Sequence, residues 1–301
     1  MNGDGCLRKQ IIKVTMSLSI SNKKILVIGA SSDIGSSIFK FDKKKKFIGT
    51  YFRNRKKNLF KFDPSKEKIS EKFNLKKISL VVLLQGITKN DDCVKNRKFS
   101  NFVNIDLNKK IINDLVLNEK LFIFFSTEWV YPGTKKFNSE KSKVLPANLY
   151  AHQKLIIEKY IKKKAEKYFI LRLAKTYTNI LKDNSFLNNW NKMIKKKNNV
   201  FKCYRDQFYS PVYSKDIFRF IFHAEKNKKY GLYNFGGQDR YSRIECLKIF
   251  LKLKKIKKYK IIEQKIPSKY PKDVSFNIGK LKKIKFLPSK FINNLYEIYN
   301  L

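Results

Sequence analysis

The stretch KILVIGASSDIG at residues 24–35 constrains the fold more than any other part of the chain. Residues 25–28 are aliphatic without polar alternation, the pattern of a strand buried on both faces inside a parallel sheet. The run passes directly into a glycine turn, Gly29 to Gly35, with a helix expected over residues 36–42. A tight glycine turn between such a strand and a helix lets bare backbone approach a pyrophosphate, which then sits on the free N–H groups of the helix N-terminus. The spacing is Gly29, Ser32, Gly35, so serine stands where the middle glycine of this pattern is usual.

The rest of the first half repeats the rhythm. Strands are expected at residues 47–52, at a short segment ending in Phe62-Asp63, and at 79–84, 121–125 and 168–173. Helical spacing runs through 99–117 and from Leu149 to about Lys167. Strands alternating with helices make a doubly wound parallel sheet, a dinucleotide-binding Rossmann fold of the α/β class. The exit of the second strand is Arg53-Asn54-Arg55-Lys56. An acidic residue there would suit the ribose 2′-hydroxyl of NAD, whereas a basic exit favours the 2′-phosphate of NADP, with NAD as the alternative. Asp63 stands where it could edge the adenine pocket.

Beyond Lys175 the rhythm loosens. Residues 180–200 look helical, 207–213 extended around Pro211, 215–225 helical, and 232–235 a strand before Gly236-Gly237. Ser242 and Glu245 form a capping-box start for a helix through Leu253, and residues 291–299 read as a small amphipathic helix. These segments hold too few strands for an independent α/β domain and read as a cap over the carboxyl edge of the sheet, where ligands bind. The division is therefore a loose extension at 1–21, with Met16 as an alternative start. The Rossmann domain follows at 22–175, and a substrate-binding cap at 176–301 sends some segments back to the sheet.

Composition excludes more than it selects. The net charge is +44, yet lysine is spread along the whole chain, at 43–46, 162–164, 195–197 and 254–258. A nucleic-acid reader concentrates its cations on one helix or stripe. Solvated lysine faces from an A/T-rich codon bias explain the excess, so no specific nucleic-acid partner is expected, although anionic substrates are welcome. Cys6, Cys93, Cys203 and Cys246 lack both metal spacing and a disulfide pattern. They read as reduced thiols of a cytoplasmic protein, with no metal site. No stretch is long and apolar enough for a membrane span.

Thr127, Tyr150 and Lys154 carry the chemistry. Ser126-Thr127 immediately follows the fifth strand, at its carboxyl end, and Tyr150 and Lys154 lie four positions apart, on one face of the helix that follows. An ammonium beside a phenol favours the phenolate and lowers its pKa. Such a phenol exchanges a proton with an alcohol or ketone while hydride moves to or from nicotinamide. A hydroxyl such as that of Thr127 holds the reacting oxygen. His152 faces away from the Tyr150–Lys154 stripe and His223 reads as packing. Arg172 suits a strand-end contact to backbone or carboxylate, Arg205 is placed to reach a diphosphate, and Asp216 to tether the start of its own helix.

With these residues in place the chain resembles the extended short-chain dehydrogenase/reductases, and most closely the dTDP-4-dehydrorhamnose reductase family of sugar-nucleotide enzymes. The resemblance spans roughly residues 24–282. It rests on the GASSDIG loop, GITKNDDC at 86–93, STEWVYPG at 126–133, YAHQK at 150–154, DQFYSP at 206–211 and PKDVSFNI at 271–278. It implies that Tyr150 is the acid/base, that Lys154 is its partner and holds the nicotinamide ribose, and that Thr127 binds the sugar carbonyl oxygen. By the same resemblance Gly29, Ser31, Ser32, Asp33, Ile34, Gly35, Arg53, Asp63, Gln85 and Gly86 hold the dinucleotide. Thr88, Glu128, Trp129, Arg205 and Gln207 face the substrate. Asn104 is placed to order water behind the Tyr150–Lys154 pair or to serve the helix alone. Glu128 and Trp129 depart from the family's Asp and Tyr, Ser32 from its glycine, and Tyr209 from the glycine of its Gly-Ser-Pro-Thr stretch, which leaves the sugar open.

The implied activity is NADPH-dependent reduction of a nucleotide-linked 4-keto-6-deoxysugar, as in dTDP-rhamnose and polysaccharide biosynthesis. An epimerase or dehydratase with retained NAD, and a dinucleotide-binding regulatory subunit without chemistry, are the competing expectations. A homodimer is compatible with either.

Overall fold

A computed structural model describes residues 22–299 apart from positions 181, 182, 184, 198 and 269, so the expected extension at 1–21 lies outside the described residues. Seven strands form the central sheet: β1 (Lys24–Ile28), β2 (Phe47–Tyr51), β3 (Phe60–Lys61), β4 (Ile78–Leu83), β5 (Phe122–Thr127), β6 (Tyr168–Leu173) and, from far along the chain, β11 (Gly231–Phe235). Their order is β11-β6-β5-β4-β1-β2-β3, and every pairing is parallel. The order reverses between β1 and β4, which opens a crevice at the carboxyl ends of these two strands.

The unalternating apolar runs become the sheet because both faces are covered. One face packs Ile25, Val27, Leu80, Val82, Ile123 and Phe169 against Ile217, Phe220 and Ile221 of a later helix. The other packs Leu26, Ile28, Val81, Leu83 and Phe124 against Ile111, Ile112, Leu115, Ile157 and Ile161.

Helix α1 (Asp33–Phe41) starts three residues before the expected Ser36, because the Ser32 hydroxyl caps it by accepting the Gly35 N–H at 3.1 Å. The helix expected over 99–117 runs from Arg97 to Leu117 as α3 (Arg97–Asn101), a π-helical turn at Phe102–Asp106 and α4 (Leu107–Leu117), with a short α2 (Asn90–Lys95) before it. Such turns insert one residue and re-aim side chains; this one buries Asn104. Helix α5 (Leu149–Lys164) ends at Lys164 rather than Lys167.

Past β6 come β7 (Thr176–Tyr177), α6 (Phe186–Lys195), β8 (Val200–Tyr204), β9 (Phe208–Tyr209), β10 (Val212–Tyr213) and α7 (Ser214–Lys226), the last packing beside α1. After β11 follow β12 (Tyr241–Ser242), α8 (Arg243–Leu253), an unexpected β13 (Lys260–Gln264), α9 (Gly279–Lys283) and α10 (Phe291–Tyr299). Strands β13 and β8 pair in a small parallel sheet of their own. A third apolar cluster around Tyr177, Trp190, Tyr209, Phe250 and Phe291 holds this part together. The segment at 271–278 ties it to the end of β5: Asp273 receives two hydrogen bonds from Arg240, and its N–H reaches the Gly133 carbonyl at 3.0 Å. Among the described residues no helix is long and apolar enough to cross a membrane.

Candidate active site

A cavity of about 680 Å³ opens at the carboxyl ends of the central strands, lined from the sheet side by Ser32, Asp33, Ile34, Thr88, Ser126, Thr127 and Glu128. From the helix and cap side come Trp129, Tyr150, Lys154, Lys175 and Tyr270. Nine of the residues expected from the sequence thus meet around one space: Ser32, Asp33, Ile34, Thr88, Thr127, Glu128, Trp129, Tyr150 and Lys154.

At one end lies the glycine turn. Gly29 has φ +82°, and a Cβ there would stand 2.8 Å from the Gln85 backbone nitrogen; a Cβ on Gly35 would stand 2.4 Å from the Ala30 carbonyl oxygen. Only bare backbone closes the turn this tightly. Beside it, at the end of β4, the Gln85 side-chain nitrogen is buried without a hydrogen-bond partner, and Gly86 takes φ +150°. An open helix N-terminus, a glycine cradle and an orphaned buried donor are what a dinucleotide satisfies, and these residues fit one.

Behind the crevice, Arg53 is exposed and its guanidinium lies 4.2 Å from the Phe99 ring centroid. The Lys56 ammonium donates to the Ser36 hydroxyl in the first turn of α1. Asp63 accepts hydrogen bonds from the N–H and hydroxyl of Ser65, so its carboxylate shapes its own turn.

At the centre, Thr127 Oγ1 accepts the Trp129 N–H at 3.3 Å, which leaves the hydroxyl proton available to a ligand oxygen. Asn148 caps α5 by accepting the Ala151 N–H at 3.0 Å, which sets Tyr150 and Lys154 in the first turns of the helix, facing the cavity. The Trp129 ring meets the Tyr150 ring edge-to-face at 6.4 Å and contacts Tyr270 at 5.4 Å.

The expected acidified phenol is corrected here. Burial pushes the Tyr150 phenol well above its ordinary range, and the neighbouring Cys93 thiol adds to the shift. The Lys154 ammonium lies 5.8 Å from the Tyr150 ring centroid. Burial brings Lys154 itself down to about 8, against the opposing pull of Cys93 and Glu158. Desolvation outweighs the charge–charge attraction assumed from spacing alone. Tyr150 is therefore held protonated.

Asn104 does more than cap a helix. Its oxygen accepts the Ile87 N–H at 2.8 Å, while its amide donates to the Ile87 carbonyl at 3.0 Å and to Gln153 at 2.7 Å. It thereby clasps the loop after β4 to α5, between Tyr150 and Lys154. Ser126 donates to Glu158, which also takes two hydrogen bonds from Arg172, so the carboxylate expected beside Arg172 is identified.

Arg205 and Gln207 are not among the residues around the cavity. Arg205 is exposed and fastened by its N–H to the Gln264 carbonyl, at the unexpected β8–β13 pairing. Gln207 accepts hydrogen bonds from Arg243. His152 is exposed, and His223 packs against Phe220 and Phe286. Asp216 ties α7 to Ser289, in the segment before α10, instead of holding the start of its own helix. Cys93, Cys203 and Cys246 are buried free thiols, and Cys6 lies outside the described residues. Sequence reasoning missed Lys175 and Tyr270. The one usable signal for Lys175 was its position two residues beyond a strand end, and for Tyr270 its place just before the 271–278 segment.

A family model described as the RmlD substrate binding domain matches residues 23–299. No curated protein sequence matches the chain. Among solved structures, a dTDP-4-dehydrorhamnose reductase from Bacillus anthracis in complex with NADP is similar at 20% identity and TM-score 0.79, over 92% of this chain and 99% of that one. A dTDP-4-dehydrorhamnose reductase from Clostridium acetobutylicum gives 22% and 0.80, over 92% and 98% of the two chains. A UDP-N-acetylglucosamine 4-epimerase from Methanobrevibacter ruminantium gives 19% and 0.79, over 93% and 97%. At these identities the likeness is one of fold.

Proposed function

The chain belongs to the RmlD substrate-binding-domain family, and from that premise we propose that it is an NADPH-dependent reductase of a nucleotide-linked 4-keto-6-deoxysugar. The observation that carries the reading is the meeting of Thr127, Tyr150 and Lys154 in one cavity beside the glycine turn. A bound nicotinamide dinucleotide supplies hydride to the sugar ketone carbon. Gly29, Ser31, Ser32, Asp33, Ile34 and Gly35 are the residues to hold its pyrophosphate, with Gln85, Gly86 and Lys154 toward the nicotinamide ribose.

Thr127 donates a hydrogen bond from its hydroxyl to the ketone oxygen and so fixes which face of the sugar turns toward the crevice. Tyr150 gives its phenolic proton to the same oxygen as negative charge develops there. The upward shift of its phenol suits this direction of reaction, because a proton donor must be loaded at neutral pH. Lys154, lowered to about 8, stabilises the phenolate left behind and recharges it. Trp129 and Tyr270 form an aromatic wall that excludes water from the sugar end.

Lys56, which follows β2 and reaches Ser36 in the first turn of α1, supports NADPH over NADH. The stacking of Arg53 on Phe99 favours a second reading, an epimerase with retained NAD, because it engages a cation otherwise available to a 2′-phosphate.

Consumption of added NADPH with dTDP- and UDP-linked 4-keto-6-deoxysugars separates the two, since an epimerase gives no net oxidation. Tyr150→Phe is expected to lose roughly a hundred- to ten-thousandfold in turnover while keeping its affinity for NADPH. Unchanged turnover in that variant would remove the mechanism.

A further inference from the structure

The sugar end of the cavity holds a cation that the reduction does not use. Lys175 follows β6 at the carboxyl edge of the sheet and lines the cavity with Thr127, Glu128 and Tyr150. Its backbone N–H is fastened to the Glu128 carboxylate at 3.0 Å, which pins it one residue away from Thr127. Among the described residues its ammonium makes no hydrogen bond and no ion pair within 4.0 Å. Arg172 is paired with Glu158 at 2.7 Å and Arg240 with Asp273 at 2.6 Å, and Lys154, the other cation of the cavity, lies over the Phe124 ring at 4.5 Å and is already used by the reduction.

The surroundings leave the balance at this end positive. Burial lowers the Lys175 ammonium and the nearby Arg243 guanidinium lowers it further, while the Glu128 carboxyl opposes both. Burial also raises Glu128, to about 8, so it offsets the two cations only in part. A cation kept in a low-dielectric cleft without a full counterion is costly unless a ligand supplies one. The expected diphosphate reader, Arg205, lies away from the cavity, so the position is open.

We propose that Lys175 is a specificity-determining residue that takes an oxyanion carried on or beside the reacting sugar, either the sugar-side phosphate of the diphosphate bridge or a carboxylate on the ring. The proposal rests on the nucleotide-sugar reading above. It places the anion at the sugar end because Lys175 hangs from the residue next to Thr127, and not from the glycine turn.

The test measures binding to the full chain through tryptophan fluorescence and calorimetry, with dTDP-glucose, UDP-glucose and UDP-glucuronate as probes. Lys175→Met is expected to weaken binding by about tenfold or more, as loss of a hydrogen bond to a charged group does, with Lys175→Arg keeping most of the affinity. A loss shared by all three probes identifies the phosphate as the anion. A loss confined to UDP-glucuronate identifies a ring carboxylate. An unchanged NADPH affinity and a melting temperature no lower than that of the wild type establish that Lys175→Met is folded. If the wild type binds the probes and Lys175→Met binds them equally well, the assignment of Lys175 is overturned and the nucleotide-sugar reading stands. If the wild type binds none of them while still binding NADPH, the nucleotide-sugar reading falls and the assignment with it.

Discussion

Two buried carboxylates flank the end of β5, and the fold treats them in opposite ways. Glu158 reaches Ser126 and is satisfied by three hydrogen bonds, one from that hydroxyl and two from Arg172. Glu128, two residues beyond Ser126, receives one backbone N–H from Lys175 and is raised to about 8 by burial, against the pull of that lysine. Burying a charge is costly unless it is paired and hydrogen-bonded. Where the sequence supplies the full set of partners, the carboxylate locks α5 against β5 and β6 as scaffold. Where it supplies one, the shortfall faces a cavity and is left to a ligand. Thr127, between them, takes its position from the first and its chemical surroundings from the second.

Removing the satisfied carboxylate gives the largest effect. Glu158→Ala leaves the Arg172 guanidinium, which is 2% exposed, in the core without its counterion and with the Tyr131 hydroxyl as its remaining side-chain partner. The expected loss of stability is about 3–5 kcal/mol, the usual consequence of breaking a buried pair from one side. Urea unfolding measures it. A loss below about 1 kcal/mol would mean that Arg172 finds another partner and that the network is not the scaffold claimed here.

Glu128→Gln is expected to act in the other direction and through pH. The folded protein holds the Glu128 proton up to about 8, whereas the ordinary value is 4.5. Between those two values the unfolded chain has released a proton that the folded chain keeps, so stability falls as pH rises through the window. Glutamine still accepts the Lys175 N–H but does not titrate. Unfolding midpoints at about pH 5 and about pH 9 are therefore expected to be closer together in the variant than in the wild type, with the variant the more stable at the higher pH. Lys175 titrates with the opposite sign, so the comparison is made at each pH against the wild type. Parallel curves would erase the asymmetry between the two carboxylates.

The sequence made the sheet legible because parallel strands buried on both faces are written as unbroken apolar runs, and residues 25–28, 80–84 and 121–125 are such runs. Strand β13 escaped because it is largely exposed and its residues, KIIEQ, sit in a lysine-rich stretch without alternation. The π turn at Phe102–Asp106 escaped because apolar spacing does not register one inserted residue. In the cavity, Thr127, Tyr150 and Lys154 were legible from their places at a strand end and a helix start. Lys175 was not, since one lysine among 68 basic residues carries no signal until the fold isolates it. The sign of the Tyr150 shift was misread for a related reason: spacing gives the neighbour's charge, but only the packed structure gives the desolvation that outweighs it.

The smallest effect concerns the hydroxyl between the two carboxylates. Ser126→Ala removes one of the three donors to Glu158 and leaves both hydrogen bonds from Arg172 in place. The expected loss is about 1.5 kcal/mol, the low end for one hydrogen bond to a charged group and well short of Glu158→Ala. Ser126 and Glu158 are in direct contact, so the two substitutions should not add: in the double variant Ser126→Ala should cost little beyond Glu158→Ala alone. Full additivity in a double-mutant cycle would mean that the serine stabilises the end of β5 by itself. The carboxylate would then not be what holds Thr127 in register with α5.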